Sequence, residues 1–370
     1  MKIAVFYNLA FGGAKRVVFE HVKGLVALGH IVDVYTIDQK HDFFDPGSAA
    51  TNEYRYKFKP KVLNLPFLKR VKKDFDALFR LRRVHKRIAH EIDSKKYDIA
   101  LIHTDTLTQS PFVLRYLKTK NVYFCLEPLR MVYEYSQRIP ENIGILNKLY
   151  EMLNRYLRKK IDRENARAAK FTIAISLFGR ECMIQSYDLY PKISYLGVDE
   201  MGFRPRNIKK KRQVLFVGEK ISLCGYDLAA DAIKRIPKNI RPEFKIVSWT
   251  QNPSERLSEA ALTKIYSESL VTLSLSRFDT FGLVPLESMA CGTPVIALNV
   301  AGYKETVING KTGYLTDFSS QEIADKIIYF LRNQQKANEI GKHGRLWVEK
   351  QWAWKKQTKK LEELLISFSS

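Results

Sequence analysis

At 370 residues the chain exceeds one ordinary core and suits two domains, each able to bury its own interior. Its 62 Lys and Arg against 39 Asp and Glu give a net charge of +23, a surface that seeks nucleic acid, an acidic membrane or phosphorylated small molecules. No segment approaches the roughly 18 uninterrupted apolar residues of a spanning helix. Cys125, Cys182, Cys224 and Cys291 are scattered without CxxC spacing, which speaks against a disulfide framework and against a zinc site.

The start, "MKIAVFYNLAFGGAKRV", lacks the flanks of a signal peptide and predicts a buried strand running through Gly12 and Gly13 into the helix "AKRVVFEHVKGLVAL". A reducing cytoplasm is the expected compartment. Gly29 closes that helix and "HIVDVYTI" is the next strand. Residues 57–96 then carry 14 Lys and Arg against four Asp and Glu, with Leu68, Val71, Phe75, Leu78 and Phe79 at helical spacing. Such a helix has two uses: peripheral contact with an anionic membrane, on the inner face of a cell's bilayer, or an ordinary domain helix with a solvated face. Asp74-Phe-Asp76 imitates a metal-binding acid pair, but its basic helical setting argues against that use. "DIALIH", ending at His103, "NVYFCL", running into Glu127, and "FTIAIS" are further strands.

After the basic stretch "RPRNIKKKR" a second series begins with "QVLFVG", "FKIVSW", "LVTLSLS" and "PVIALN". Strands alternating with helices predict parallel, doubly wound sheets. The expected fold is therefore α/β with two Rossmann-like domains, at 1–196 and 213–350, joined by a linker at 197–212. A final helix over 351–370 closes the second domain or returns to the first.

Two carboxylates in "RFDTFGLVPLESMACGTPVIA" carry the chemistry. In open parallel sheets ligands bind beyond the carboxyl ends of strands, so the loop after "LVTLSLS" lies at a rim. Pro285 suits only a helix's first turn, which sets the helix start near Phe281 to Val284. Backbone N–H groups at Gly282 and Leu283 are then expected to attract an anion, with phosphate the natural guest. Asp279 in the loop and Glu287 one turn inside can each accept two hydrogen bonds from vicinal hydroxyls. A nucleotide sugar has both parts.

This stretch resembles the large GT-B group of retaining glycosyltransferases, whose donor motif is two Glu separated by seven residues around a Phe-Gly-Leu turn. Here it reads "DTFGLVPLE". The sequel "MACGTPVIALNVAGYKETVINGKTGYL", the start "FGGAKRVVFEHVKGLVALGHIVDVYT" and "AISLFGRE…YLGVDEMGFRP" extend the resemblance over nearly the whole chain. It implies two lobes facing across a cleft, with the donor on the second and a glycan or lipid-linked acceptor on the first. Glu287 is implied to hold ribose hydroxyls and Asp279 the transferred sugar. N–H groups near Phe281, Gly282 and Leu283 are implied to contact the donor, while Gly12 and Gly13 let backbone approach its diphosphate. No metal and no cofactor are implied; the anomeric configuration is retained, with the leaving phosphate assisting deprotonation of the acceptor.

Two departures stand out. Relatives neutralise the diphosphate with an Arg and a Lys where this chain has Glu219 and Cys224. An acid facing a phosphate is repelled by about 4 kcal/mol for unit charges ~4 Å apart at an effective dielectric near 20. Lys220, Lys15 and Arg16 are the candidate replacements. Relatives also end one first-domain strand with a catalytic-site His; Glu127 stands nearest that place here, and His103 ends the preceding strand. The two are the expected acceptor-side catalytic candidates, and pairing of Glu127 with Arg130 is the structural alternative. A catalytically silent relative that scaffolds a partner enzyme is the competing reading. Nucleic acid is not expected, since no recognition helix, zinc spacing or aromatic-interleaved basic strand is visible.

Overall fold

The computed structural model describes residues 1–37, 44–59, 66–134, 137, 139, 142–248 and 257–370. Residues 60–65 of the basic stretch, and the side chains of Leu68 and Lys69, lie outside the described residues. Two compact units emerge. Unit 1 comprises Met1–Ile175, Gly179–Ser194 and Thr358–Ser370; unit 2 comprises Ser176–Phe178 and Tyr195–Gln357.

Unit 1 is built on seven strands: β1 (Lys2–Asn8), β2 (Ile31–Ile37), β3 (Asn52–Tyr56), β4 (Ile99–Asp105), β5 (Asn121–Cys125), β6 (Phe171–Ala174) and β7 (Lys192–Ile193). They pair in the order β3-β2-β1-β4-β5-β6-β7, and every pairing is parallel. The central strands are buried along almost their whole length, as expected where helices cover both faces of a parallel sheet. Since the chain winds outward from β1 to β3 and then restarts at β4, the topological switch point lies beyond the carboxyl ends of β1 and β4.

Unit 2 carries β8 (Gln213–Val217), β9 (Glu243–Val247), β10 (Val271–Ser274), β11 (Val295–Leu298) and β12 (Gly313–Thr316). Their order is β12-β11-β10-β8-β9, again all parallel, so the switch point lies between β8 and β10. The second-series strands appear where hydrophobic runs predicted them. β3, β7 and β12 are additions that short, mixed-polarity stretches such as "NEYRY" did not announce.

The stretch expected as a linker, 197–212, is instead an integral part of unit 2. Phe203 is fully buried there, and Val198 bridges in parallel to Ala353. Lys210 donates to the Ser269 carbonyl at 2.9 Å and to Thr293 Oγ1 at 2.7 Å. Burial lowers its ammonium to about 8. A basic run reads as solvated, but carbonyl oxygens left over from helix and strand ends can draw a lysine inward.

The final helix, Trp354–Ser369, belongs to unit 1 from Thr358 onward. Leu361 and Leu365 are fully buried, Phe368 stacks on Phe171 at 4.3 Å between ring centroids, and Glu362 meets His30 at 2.7 Å.

Candidate functional site

The switch point of unit 2 is assembled from two loops. After β8 come the exposed Glu219 and Lys220, a short turn over Ser222–Cys224, and Gly225 at φ +78°. A Cβ on Gly225 would stand 1.9 Å from the carbonyl oxygen of Leu275, so only glycine allows this close approach of the two loops. After β10, Arg277 binds Asp227 through both guanidinium nitrogens, at 2.9 Å and 2.7 Å, and also donates to the Ser222 carbonyl. Hydrogen bonding to Arg277 holds the Asp227 carboxyl down to about 2.

Asp279 closes the next turn. Its Oδ1 accepts from the amides of Phe281 (3.1 Å) and Gly282 (2.8 Å), and its Oδ2 accepts from the Tyr303 hydroxyl at 3.2 Å. Gly282, at φ +94°, precedes the helix Leu283–Ala290. Tyr303 packs so tightly behind Gly282 that a Cβ there would fall 2.8 Å from its ring. The turn is thus pre-formed, with one correction to expectation. The Phe281 and Gly282 amides are taken by the Asp279 carboxylate rather than left open, because an Asp two and three residues ahead makes the shortest local partner. First-turn amides at Leu283 and Val284 have no intrahelical carbonyl to bond. Phe281 itself is an interior residue, its ring 5.5 Å from that of Trp352.

Glu287 is 2% exposed and accepts from the Tyr266 hydroxyl at 2.9 Å. Burial, and then the Glu287 charge, push the nearby Cys291 thiol up to about 12. The two motif acids therefore have separate local partners: Asp279 shapes the turn, and Glu287 is held from the helix Glu259–Glu268 by Tyr266.

In unit 1 the switch point is sealed by polar contacts. Asp105, at the end of β4, accepts from Asn8 Nδ2 at 2.7 Å and from the amides of Leu107 and Thr108 at 2.7 and 2.9 Å. His85 Nε2 lies 3.4 Å from its other side. Burial works to raise this carboxyl, but His85 beside it and the bonds from Asn8 and Leu107 outweigh it and hold the group below its ordinary value. Asp105, His85, Asn8, Tyr266, Tyr303 and the Arg277–Asp227 pair were not among the sequence-derived candidates. Arg277 opens the quoted motif and Tyr303 stands in its sequel, and "IHTDT" places an acid where a strand stops and a turn begins.

Several unit 1 candidates are placed differently from expectation. His103 is fully buried, 5.3 Å from His21 and 5.1 Å from Phe124 between ring centroids. Burial, reinforced by His21, lowers its imidazole far below the ordinary range. Lys15 is also fully buried, its ammonium 6.0 Å from the Tyr7 ring centre, and Arg16 lies over Phe44 at 5.3 Å. Both lie on the helix Gly13–Ala27 and are shielded from solvent. Gly12, at φ +153° with open space where a Cβ would stand, precedes that helix, and Gly13 starts it. Glu127 is half-exposed, 3.9 Å from Arg130, whose nearer partner is Glu134 at 2.6 Å. Lys220 is exposed, beside Glu219.

Comparison with known proteins adds to this geometry. The family model described as Glycosyltransferase Family 4 matches residues 11–200, and that described as Glycosyl transferases group 1 matches residues 252–347. The chain is similar, at 38% identity over 148 residues, to the GDP-mannose-dependent alpha-(1-6)-phosphatidylinositol monomannoside mannosyltransferase of Mycolicibacterium smegmatis, covering 39% of each chain. It is 28% identical over 153 residues to the N-acetyl-alpha-D-glucosaminyl L-malate synthase of Bacillus anthracis, covering 41% of this chain and 36% of that one. The chain thus spans less than half the length of these curated relatives. Among solved structures, sucrose-phosphate synthase from Thermosynechococcus elongatus superposes with a TM-score of 0.73 at 18% identity, over 99% of this chain and 98% of that one. Anabaena HepE in complex with UDP superposes with a TM-score of 0.68 at 17% identity, over 99% and 100%. Both show the same fold.

Proposed function

We infer, since this chain belongs to glycosyltransferase family 4, that it moves a sugar from a nucleotide-diphosphate donor to a glycan or lipid-linked acceptor, with retention of anomeric configuration. Several relatives carry names of enzymes that handle sugars, and one is named for its dependence on GDP-mannose. The observation that carries the reading is the pre-formed turn Asp279–Gly282 at the switch point of unit 2, followed directly by a helix start.

On this reading the donor's diphosphate lies at the Leu283 and Val284 amides, where the helix dipole and the first-turn N–H groups favour an anion. Lys220 supplies a side-chain positive charge and offsets Glu219. Asp279 orients the transferred sugar near its reacting carbon, and Glu287, steadied by Tyr266, accepts from ribose hydroxyls. Gly12 and Gly13 leave room for backbone approach from the acceptor side, where Glu127 is the remaining candidate for the acceptor hydroxyl. The reaction exchanges one bond for another at the anomeric carbon: the C–O bond to the diphosphate breaks, a C–O bond to the acceptor forms, and the acceptor's proton passes to the leaving phosphate. The working compartment is the cytoplasm, with the acceptor met at an anionic membrane face.

A second reading, a silent relative that binds a partner enzyme, is favoured by two observations: Glu219 stands where a cation would help, and Asp279 occupies two amides. A thermal-shift panel of UDP, GDP and ADP separates the two. Stabilisation by one nucleotide, lost in Glu287→Ala, supports transfer. A chain indifferent to all three leaves only the scaffold.

A further inference from the structure

The helix Ile145–Arg167 is built inside out. A helix on a soluble surface turns its apolar stripe inward and its polar face to water. Here the side toward unit 1 is polar. Glu151, Asn154, Asp162 and Asn165 are buried. Tyr150 donates to Asp74 at 2.6 Å, Arg158 pairs with the same carboxylate at 2.7 Å, and Glu151 pairs with Arg70. Further along, Asp162 accepts from the Ser110 amide at 3.0 Å and the Tyr187 hydroxyl at 2.8 Å. Meanwhile Ile145, Leu146, Leu149, Met152, Leu153 and Tyr156 are each 54% to 78% exposed. Their spacing places them on one outward stripe along three turns. An apolar stripe of this size, held outward by a set of specific polar anchors, marks a surface that another phase covers.

Charge selects the occupant. Seven of the helix's ten charged residues are basic, and two of its three acids, Glu151 and Asp162, are buried. Lys148, Lys159 and Lys160 are exposed on the same helix, and the element anchored to it through Asp74 leaves Phe75 and Phe79 about half exposed. Two copies meeting here would set basic surface against basic surface. Nucleic acid would answer the charge and leave the Ile, Leu and Met side chains uncovered. A lipid surface with anionic headgroups answers both, since apolar side chains enter the acyl boundary while lysines stay among phosphates. Among the described residues no helix is long and apolar enough to cross a membrane, so the contact is one of lying on the surface.

We propose that the outward face of Ile145–Arg167 is the site by which this protein docks on an anionic bilayer. The assignment deepens the membrane part of the reading above, and its test does not depend on sugar transfer. The full chain is sedimented with vesicles of phosphatidylglycerol and phosphatidylcholine in equal parts, and with phosphatidylcholine alone. Binding is expected on the anionic vesicles only. Combining Leu146→Glu, Leu149→Glu and Leu153→Glu should weaken it about tenfold or more. Combining Lys148→Gln, Lys159→Gln and Lys160→Gln should weaken it several-fold and flatten its salt dependence. Both variants should keep the wild-type thermal midpoint and nucleotide response, which separates failure to dock from failure to fold or to bind donor. Equal binding to both vesicle types, unchanged binding in the Glu variant, or a lipid-free dimer that the Glu variant dissolves would each overturn the proposal. The last result would assign the face to a second copy.

Discussion

Unit 1 and unit 2 are both doubly wound parallel sheets, of seven and five strands, and differ in how they finish their switch points. Beyond β1 and β4 the strand ends are tied by buried side chains: Asn8 donates to Asp105 with His85 beside it, and Lys15 and Arg16 are buried. Beyond β8 and β10 the loops meet through the close approach of Gly225 to Leu275, the partly exposed Arg277–Asp227 pair and the Asp279 carboxylate on the Phe281 and Gly282 amides, while Glu219 and Lys220 stay in water. Each unit also follows its opening strand with a glycine-bearing turn, yet Gly12 faces open space and Gly225 faces a carbonyl. A parallel sheet offers a ligand site at its switch point, and whether that site is filled by the protein's own side chains or left to a ligand is decided by the loops.

The sharpest way to break this contrast is to add one methyl group on each side. Gly225→Ala should destabilise unit 2 by roughly 4 kcal/mol, a left-handed backbone cost added to overpacking. Gly12→Ala should cost only ~1 kcal/mol, from backbone alone. Thermal unfolding followed by circular dichroism reads both, and equal losses would mean the loops are not built differently. Next in size, Asp105→Ala strips partners from Asn8 and two amides inside unit 1 and should cost about 3 kcal/mol in urea unfolding. Tyr266→Phe removes one buried donor from Glu287 and should cost ~1 kcal/mol, with a reduced nucleotide-induced thermal shift if Glu287 reads the donor.

The smallest effect is electrostatic. The Asp227 carboxyl titrates near 2 in the folded protein, below its unfolded value, so the stability it contributes is present above the unfolded value and lost as pH falls through the folded one. The side chain is 48% exposed, so solvent screening limits the loss to below about 1 kcal/mol. Denaturant midpoints at pH 4.5 and 2 (approximate settings) should fall further for the wild type than for Asp227→Asn. Equal falls would remove the Arg277–Asp227 tie from the account.

Much of the architecture was legible because buried parallel strands must be apolar runs, and those runs stand out: "KIAVFY", "DIALIH" and "LVTLSLS" all became central strands. The Asp279 turn and the helix start at Leu283 were legible through Gly282 and Pro285, whose backbone limits are local. What sequence does not display is which way a helical cation faces. Lys15 and Arg16 read as cations placed for an anion and lie buried, while the stretch holding Lys210 read as a linker and Lys210 is tied to Thr293. His103 was hidden by the same ambiguity, since a strand residue points to one face or the other and only the folded sheet says what covers it. The outward stripe of Ile145–Arg167 escaped for the opposite reason: its apolar spacing is that of any core-facing helix.

The placement of Thr358–Ser370 within unit 1 sets an order of events during synthesis. A ribosome delivers β1 to β7 first, then every residue of Tyr195–Gln357, and only afterwards Leu361, Leu365 and Phe368, which cover unit 1 beside Phe171. Vectorial folding, in which the earlier lobe is finished before the later one begins, is closed to such a chain. Unit 1 must wait with part of its interior open while unit 2 matures, and a chain halted at Gln357 should be nicked by protease in its older half first.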